Sequence, residues 1–224
     1  TTVNNFLEEL RVATLDYAQR DVAAVTAYAH SLGFEGELMP WDWGYYNEKY
    51  KEEMYSINDE QIKPYLELES VKNAVFMLAT RLYGITFTES TAIETYHPEA
   101  TVYEVNDADG ELLAIIYLDF FPRESKRAGA WMTEFRGVSV RDGEEQRPLV
   151  SLVMNFTKPT ANTPSLLTFD EFTTFLHEFG HGLHGILAQG KYESINGTNV
   201  KRDFVELPSQ IMENWATEQE YLDL

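Results

Sequence analysis

The sequence predicts an α+β fold, mainly α-helical, with a small and mostly antiparallel sheet beside one strongly amphipathic helix. Changes of texture along the chain carry that prediction. Apolar residues recur at three- and four-residue intervals through residues 1–98, and β-branched and aromatic runs punctuated by turn dipeptides then occupy 99–160. Between 161 and 224 the helical period returns, opened by a capping sequence. The chain does not begin with Met and ends within a helical-looking stretch, Glu220–Leu224, so it is expected to be a piece of something longer.

Phe6, Leu7, Leu10, Val12, Ala13 and Tyr17, then Val22, Val25 and Ala29, outline the first helix. The stretch from Gly33 to Gly44, with Pro40, is expected to interrupt it. Further helices are predicted over Tyr45–Tyr55 and Val71–Tyr83. Trp41, Trp43, Tyr45 and Tyr46 read as a core or interface cluster. His30 stands near a helix C-terminus, where a cation is favourable, and reads as structural; His97, beside Pro98, has no partner at ligand spacing.

In the middle region Thr101–Val105 and Leu112–Phe121 flank an Asp109-Gly110 pair, a strong hairpin signal. Gly129–Arg136 and Pro148–Phe156 flank an Arg141-Asp142-Gly143 turn. A sheet of three or four strands is expected.

Composition removes several functional classes. The chain is 44% hydrophobic and 24% charged, the balance of a soluble globular protein, and thirteen Tyr, thirteen Phe and four Trp argue for an ordered core. A formal charge of −20 opposes binding to nucleic acid, which depends on Lys and Arg, and gives no attraction to an anionic membrane. No apolar run approaches the length needed to cross one. The absence of cysteine rules out disulfides and thiolate chemistry and suits a reducing compartment.

The chemistry concentrates after Thr168. Thr168-Phe169-Asp170-Glu171 is a capping box, and Phe172, Phe175, Leu176, Phe179, Leu183, Ile186 and Leu187 supply a continuous apolar stripe, with the helix ending near Gly190. That helix sets His177 and His181 one turn apart on one face, where two imidazoles can converge on one tetrahedral zinc ion. Glu178 is rotated about 100° from His177, which suits a general base acting on water at the metal. Gly180, Gly182 and Gly185 each cost a helix about 1 kcal/mol relative to Ala, so close approach of another group is expected there. His184 lies too far along the axis to join the same metal and reads as a neighbour that supports the site.

Acidic candidates for a third ligand are Glu193, Asp203, Glu206 and Glu213. Glu193 is too close to the first helix's end. Pro208 belongs in a first helical turn, so a second helix opens near Asp203–Pro208, with Ile211, Met212 and Trp215 on its buried face. An antiparallel return would bring Glu206 to the metal and leave Asp203 able to accept a ligand histidine's free N–H. Glu213 is the competing ligand, about 10 Å further along the helix.

The segments Phe175–Gly185, Gly197-Thr198-Asn199 and Arg202–Gln210 together resemble the thimet-oligopeptidase family of zinc metallopeptidases, most closely its bacterial peptidyl-dipeptidases. Tyr117–Arg123 and Asn155–Pro159 extend the likeness, which plausibly spans the whole chain and is weakest over the first hundred residues. The resemblance implies a zincin-like catalytic core holding one Zn²⁺ per chain through His177, His181 and Glu206, with Glu178 as the base. It implies a deep channel that admits short peptides, release of C-terminal dipeptides, and a cytoplasmic or, less often, periplasmic setting. It points to Gly129-Ala130-Trp131 as a strand that pairs with the peptide backbone.

Family enzymes are longer, and their carboxy-terminal His and Tyr residues stabilise the transition state. Those residues lie beyond Leu224, and the family's amino-terminal helical domain is also outside the chain. The remainder of its own full-length chain is therefore an expected partner. Alone, these 224 residues are expected to bind zinc but cleave peptides poorly or not at all. The competing reading is a non-catalytic, zinc-stabilised peptide-binding module on the same helices.

Overall fold

A computed structural model of the chain describes residues 1–56 and 58–223. It divides into two compact units, Thr1–Gln61 and Ile62–Leu224, with the one-turn helix α3 (Asp59–Ile62) at the division.

The first unit is a helical pair, α1 (Thr2–Ser31) and α2 (Pro40–Tyr55). Pro40 begins the second helix rather than interrupting the chain, so α2 starts five residues before the expected Tyr45. A proline in the first turn gives up an N–H that has no helical acceptor anyway. The helices meet where the rings of Tyr28 and Tyr50 lie 5.6 Å apart, and Val25 and Ala29 are buried. The earlier part of the α1 stripe, including Phe6, Leu7 and Leu10, is exposed. The aromatic cluster divides: Tyr46 packs on Phe34, whereas Trp41 is 77% exposed. His30 is structural, its Nε2 bonded to the Gly36 carbonyl at 2.9 Å.

The second unit is the α+β part. Helix α4 (Leu68–Tyr83) is capped by Glu67, which accepts the Ser70 N–H, and ends at Gly84 in the left-handed region. Strands β1 (Thr86–Glu89), β2 (Thr101–Asn106), β3 (Leu112–Asp119), β4 (Trp131–Arg136) and β7 (Leu149–Val153) form a five-stranded sheet among the described residues, in the order β1-β2-β3-β7-β4. Three of its pairings are antiparallel, and β3 with β7 is parallel. Strands β5 (Ser139–Arg141) and β6 (Glu144–Gln146) make a separate hairpin through the expected turn, with Asp142 and Gly143 both at positive φ.

Two features exceed the sequence expectation. β1 is a fifth strand within a region expected to be helical, and β7 inserts between β3 and β4. That insertion makes β4 an edge of the sheet.

The amphipathic helix is α5 (Phe169–Ile186), closed at its start by Thr168 and Glu171, each bonding the other's backbone N–H at 3.1 and 2.9 Å. Its apolar stripe fills the core: Phe175, Leu176, Phe179 and Ile186 are fully buried with Ile116, Leu118 and Leu152 of the sheet. Phe76 of α4 meets Phe179 over Phe87 and Tyr103. Beyond α5 come α6 (Arg202–Val205), α7 (Leu207–Glu213) and α8 (Gln219–Leu222). No described helix is long and apolar enough to cross a membrane.

Helix α7 runs antiparallel to α5 in van der Waals contact. A Cβ on Gly180 would fall 2.5 Å from the Pro208 carbonyl oxygen and 2.6 Å from Ser209 Cα. Gly182 and Gly185 face the sheet, against Leu152 and against Glu134 with Met132.

On the opposite face of the sheet the fully buried Asp119 ends β3. Its carboxylate accepts both terminal nitrogens of Arg123 at 2.8 and 2.9 Å, Lys126 Nζ at 3.0 Å and the Tyr96 hydroxyl at 3.0 Å. Lys126 Nζ also donates to the carbonyls of Asp119 and Phe121, and its side chain is 2% exposed. Burial pushes the Asp119 carboxyl up, but the hydrogen bonds from Arg123 and Lys126 more than offset that and hold it below the usual range.

Two stability predictions follow from these contacts. Gly180→Ala should destabilise by about 1–3 kcal/mol through overpacking, although alanine is the better helix former. Gly44→Ala in α2 meets nothing within 4 Å and should be neutral or stabilise by up to about 1 kcal/mol. Urea denaturation of both variants reads the contrast. Asp119→Asn should cost about 3–5 kcal/mol at pH 7, because it strands a buried lysine. With the folded pKa depressed, the Asp119 contribution is present above about pH 4 and is lost as pH falls through the folded value. The gap between wild type and variant should therefore narrow on acidification, and a gap that stays constant would remove Asp119 as a charged anchor.

Candidate active site

Three side chains from two elements converge at the α5–α7 crossing. Helical spacing on α5 brings the His177 and His181 rings to a centroid separation of 4.9 Å, nearly perpendicular at 84°. Glu206 sits in the turn between α6 and α7, and its Oε2 lies 3.3 Å from His177 Nε2 and 3.1 Å from His181 Nε2. All three donor atoms lie within 4.8 Å of one another. Two donors on a tetrahedral zinc ion with bonds of about 2.0–2.1 Å are about 3.3–3.4 Å apart. The two imidazole–carboxylate spacings are close to that value, so the three groups could hold a metal ion, and two imidazoles with one carboxylate suit a divalent transition ion.

Two of the three groups are oriented from behind, whereas the buried His181 Nδ1 has no hydrogen-bond partner among the described residues. Ser209 Oγ, fully buried, donates to Glu206 Oε2 at 2.8 Å. That hydrogen bond is the first cause, ahead of the two histidines, of a Glu206 carboxyl held below its ordinary value. His177 Nδ1 donates to Glu213 Oε1 at 2.6 Å, which fixes the ring and turns Nε2 toward Glu206. Burial pushes the His181 imidazole below its ordinary value, opposed by the neighbouring Glu206 carboxylate. His184 is also lowered by burial, and its ring meets Phe204 at 6.2 Å rather than joining the cluster.

Neither Ser209 nor Glu213 was singled out in the sequence for these contacts. By spacing alone Glu213 is a competing ligand about 10 Å further along the helix than Glu206. That distance along α7 carries it instead to the far side of His177, since α7 runs back along α5. Asp203, expected in the supporting role, is exposed in α6 and makes no described hydrogen bond with either histidine. The turn at Glu206 separates α6 from α7, so Asp203 does not share the α7 face that meets α5.

Glu178 is 6% exposed and borders the cleft beside the cluster. Burial raises its carboxyl above the ordinary value, opposed by His177 and by a hydrogen bond from the Met132 backbone. Its Oε2 is buried without a hydrogen-bond partner among the described residues. The cleft encloses about 410 Å³ and is lined by Ala130, Trp131 and Met132 on one side and by His177, Glu178, His181, Thr198, Val205 and Glu206. A second hollow adjoins it on the side of Asp170, Thr173 and Glu213, sharing Ala130, His177 and Glu178. Of the expected docking segment, Ala130 and Trp131 thus border the cleft, while Gly129 is not part of its lining.

Comparison with known proteins agrees with this geometry. The model of Peptidase family M3 matches residues 1–224. The dipeptidyl carboxypeptidase of Escherichia coli (strain K12) is 42% identical over 214 residues, covering 95% of this chain and 31% of that protein. Oligopeptidase A of Salmonella typhimurium is 41% identical over 222 residues, covering 98% and 33%. A chloroplastic/mitochondrial organellar oligopeptidase A of Arabidopsis thaliana is 36% identical, covering 96% and 28%. The chain spans about a third of the length of these relatives. A family match over the whole chain, together with a His-His-Glu cluster beside a buried glutamate, leads to one conclusion: the chain belongs to peptidase family M3.

Proposed function

We propose that this chain is the zinc-holding core of a peptidase that hydrolyses short peptides and releases dipeptides from their C-termini. The observation that carries the reading is the donor spacing at His177, His181 and Glu206, with the buried Glu178 carboxylate beside the same cleft. The names of the bacterial relatives support the substrate class. The absence of cysteine suits work in the cytoplasm.

His177, His181 and Glu206 would hold one zinc ion, which when bound would supply Lewis-acid chemistry to the scissile carbonyl and to water. Glu178 takes a proton from the attacking water and passes it to the leaving amine. Its burial favours that role, because a carboxyl raised above its ordinary value is a better proton acceptor. Glu213 holds the His177 ring in one tautomer, and Ser209 aims the Glu206 carboxylate. The exposed edge of β4 at Ala130–Met132 offers backbone groups to an extended peptide. Oxyanion stabilisation and channel walls belong to the remainder of the full-length chain.

In the full-length protein His177→Ala should abolish stoichiometric zinc, measured by elemental analysis. Glu178→Gln should keep the metal and lose turnover on a short peptide, since a carboxamide cannot take the proton. Retained activity in that variant would remove Glu178 as the base. Glu213→Gln should weaken zinc by about 10–100-fold, whereas Asp203→Asn should leave it unchanged. Competition with a chelator measures both, and the reverse order would return the supporting role to Asp203.

A further inference from the structure

The N-terminal end of β4 is held by a side chain rather than by a strand ladder. The β4–β7 pairing extends to Trp131 opposite Val153, and continuing that register would set Gly129 opposite Asn155. Gly129 has φ +93, which turns its backbone out of the strand path. In place of a backbone pair, Asn155 Nδ2 donates to the Gly129 carbonyl at 2.6 Å and to the Arg127 carbonyl at 2.9 Å. A primary amide has two N–H donors, and both are used here.

The other flank of the same segment is bonded through its backbone. The Met154 N–H donates to the Asp119 carbonyl at 2.9 Å and the Phe156 N–H to the Phe120 carbonyl at 2.8 Å. Asp119 is the buried anchor of the Arg123–Lys126 network, so residues 154–156 are fixed to a rigid base. From that base one side-chain amide reaches across to 127–129. The next residue, Ala130, borders both hollows beside His177 and Glu178. Met132, two residues on, gives its backbone N–H to Glu178. The distance between the peptide-docking edge and the proposed base thus depends on where the 127–130 segment is held.

We propose that Asn155 is a positioning residue: by holding the Arg127 and Gly129 carbonyls it sets the alignment of the β4 edge, and of a peptide lying on it, against His177 and Glu178. This rests on the peptidase reading above. Misplacement by about 1 Å is enough to cost about 100-fold in rate when reacting groups must be aligned. Asn155 is itself distant from the metal ligands in sequence and makes no described contact with them.

The test uses Asn155→Asp and Asn155→Ala in the full-length protein. Aspartate keeps the shape of asparagine but has no N–H to donate at neutral pH. Both variants should lower kcat/KM on a short peptide by about 10–100-fold, chiefly through kcat, while retaining one zinc per chain and the wild-type melting temperature. Amide hydrogen exchange should quicken at 128–132 and stay unchanged in α5. Unchanged kcat/KM in Asn155→Asp overturns the proposal. So does a loss of activity accompanied by zinc release or by faster exchange throughout α5 and the sheet, because Asn155 would then be merely structural. A wild-type protein that cleaves no peptide overturns the peptidase reading instead. In that case exchange at 128–132 still decides whether Asn155 holds this segment.

Discussion

The close crossing of α5 and α7 is the constraint on which the site depends. Two histidines one turn apart are only two members of the cluster, and the third, Glu206, arrives from a different part of the chain. Gly180 has no side chain, so the Pro208–Ser209 backbone can rest directly on α5. That contact places Glu206 within 3.3 Å of both imidazole Nε2 atoms and, two turns later, Glu213 behind His177. A side chain at position 180 would push α7 outward and separate all of these contacts together. The glycine that weakens the helix locally is what allows the His-His-Glu cluster to form.

The other half of the site is a sheet edge, and its position is set from the opposite face. Asp119 gathers Arg123, Lys126 and Tyr96 in the interior, where paired charges with satisfied hydrogen bonds resist rearrangement. The segment that leaves this network returns as β4, whose edge borders the cleft. Because β7 lies between β3 and β4, the network and the cleft are joined through hydrogen-bonded strands. The helices therefore present the His177-His181-Glu206 cluster and the sheet presents an edge strand, with Glu178 at their junction.

Much of this was legible in the chain. The capping box at Thr168, the apolar stripe through α5 and the His177–His181 spacing are local properties, and local backbone geometry turns them into structure without further information. The Asp109-Gly110 and Asp142-Gly143 turns were legible for the same reason, since they need positive φ within a few residues. Pro40 was less so, because the same residue that breaks a helix also begins one. The strand β1 was hidden by its four-residue length, although the left-handed Gly84 marks the helix end just before it.

What the sequence alone determined is the set of elements and the identity of the chemical groups: an amphipathic helix bearing two imidazoles and a carboxylate, and an acidic residue on a following helix. Periodicity and capping depend only on neighbours within a turn or two, so they can be read without a fold. Tertiary structure alone decided which partners those groups meet. That β7 would pair parallel to β3, that Glu213 rather than Asp203 would stand behind His177, and that Asn155 would hold the approach to β4 are contacts between residues 26 to 36 positions apart. Hydrophobic period says which face a residue occupies but not which distant segment covers it. That choice is made by the packing of whole elements.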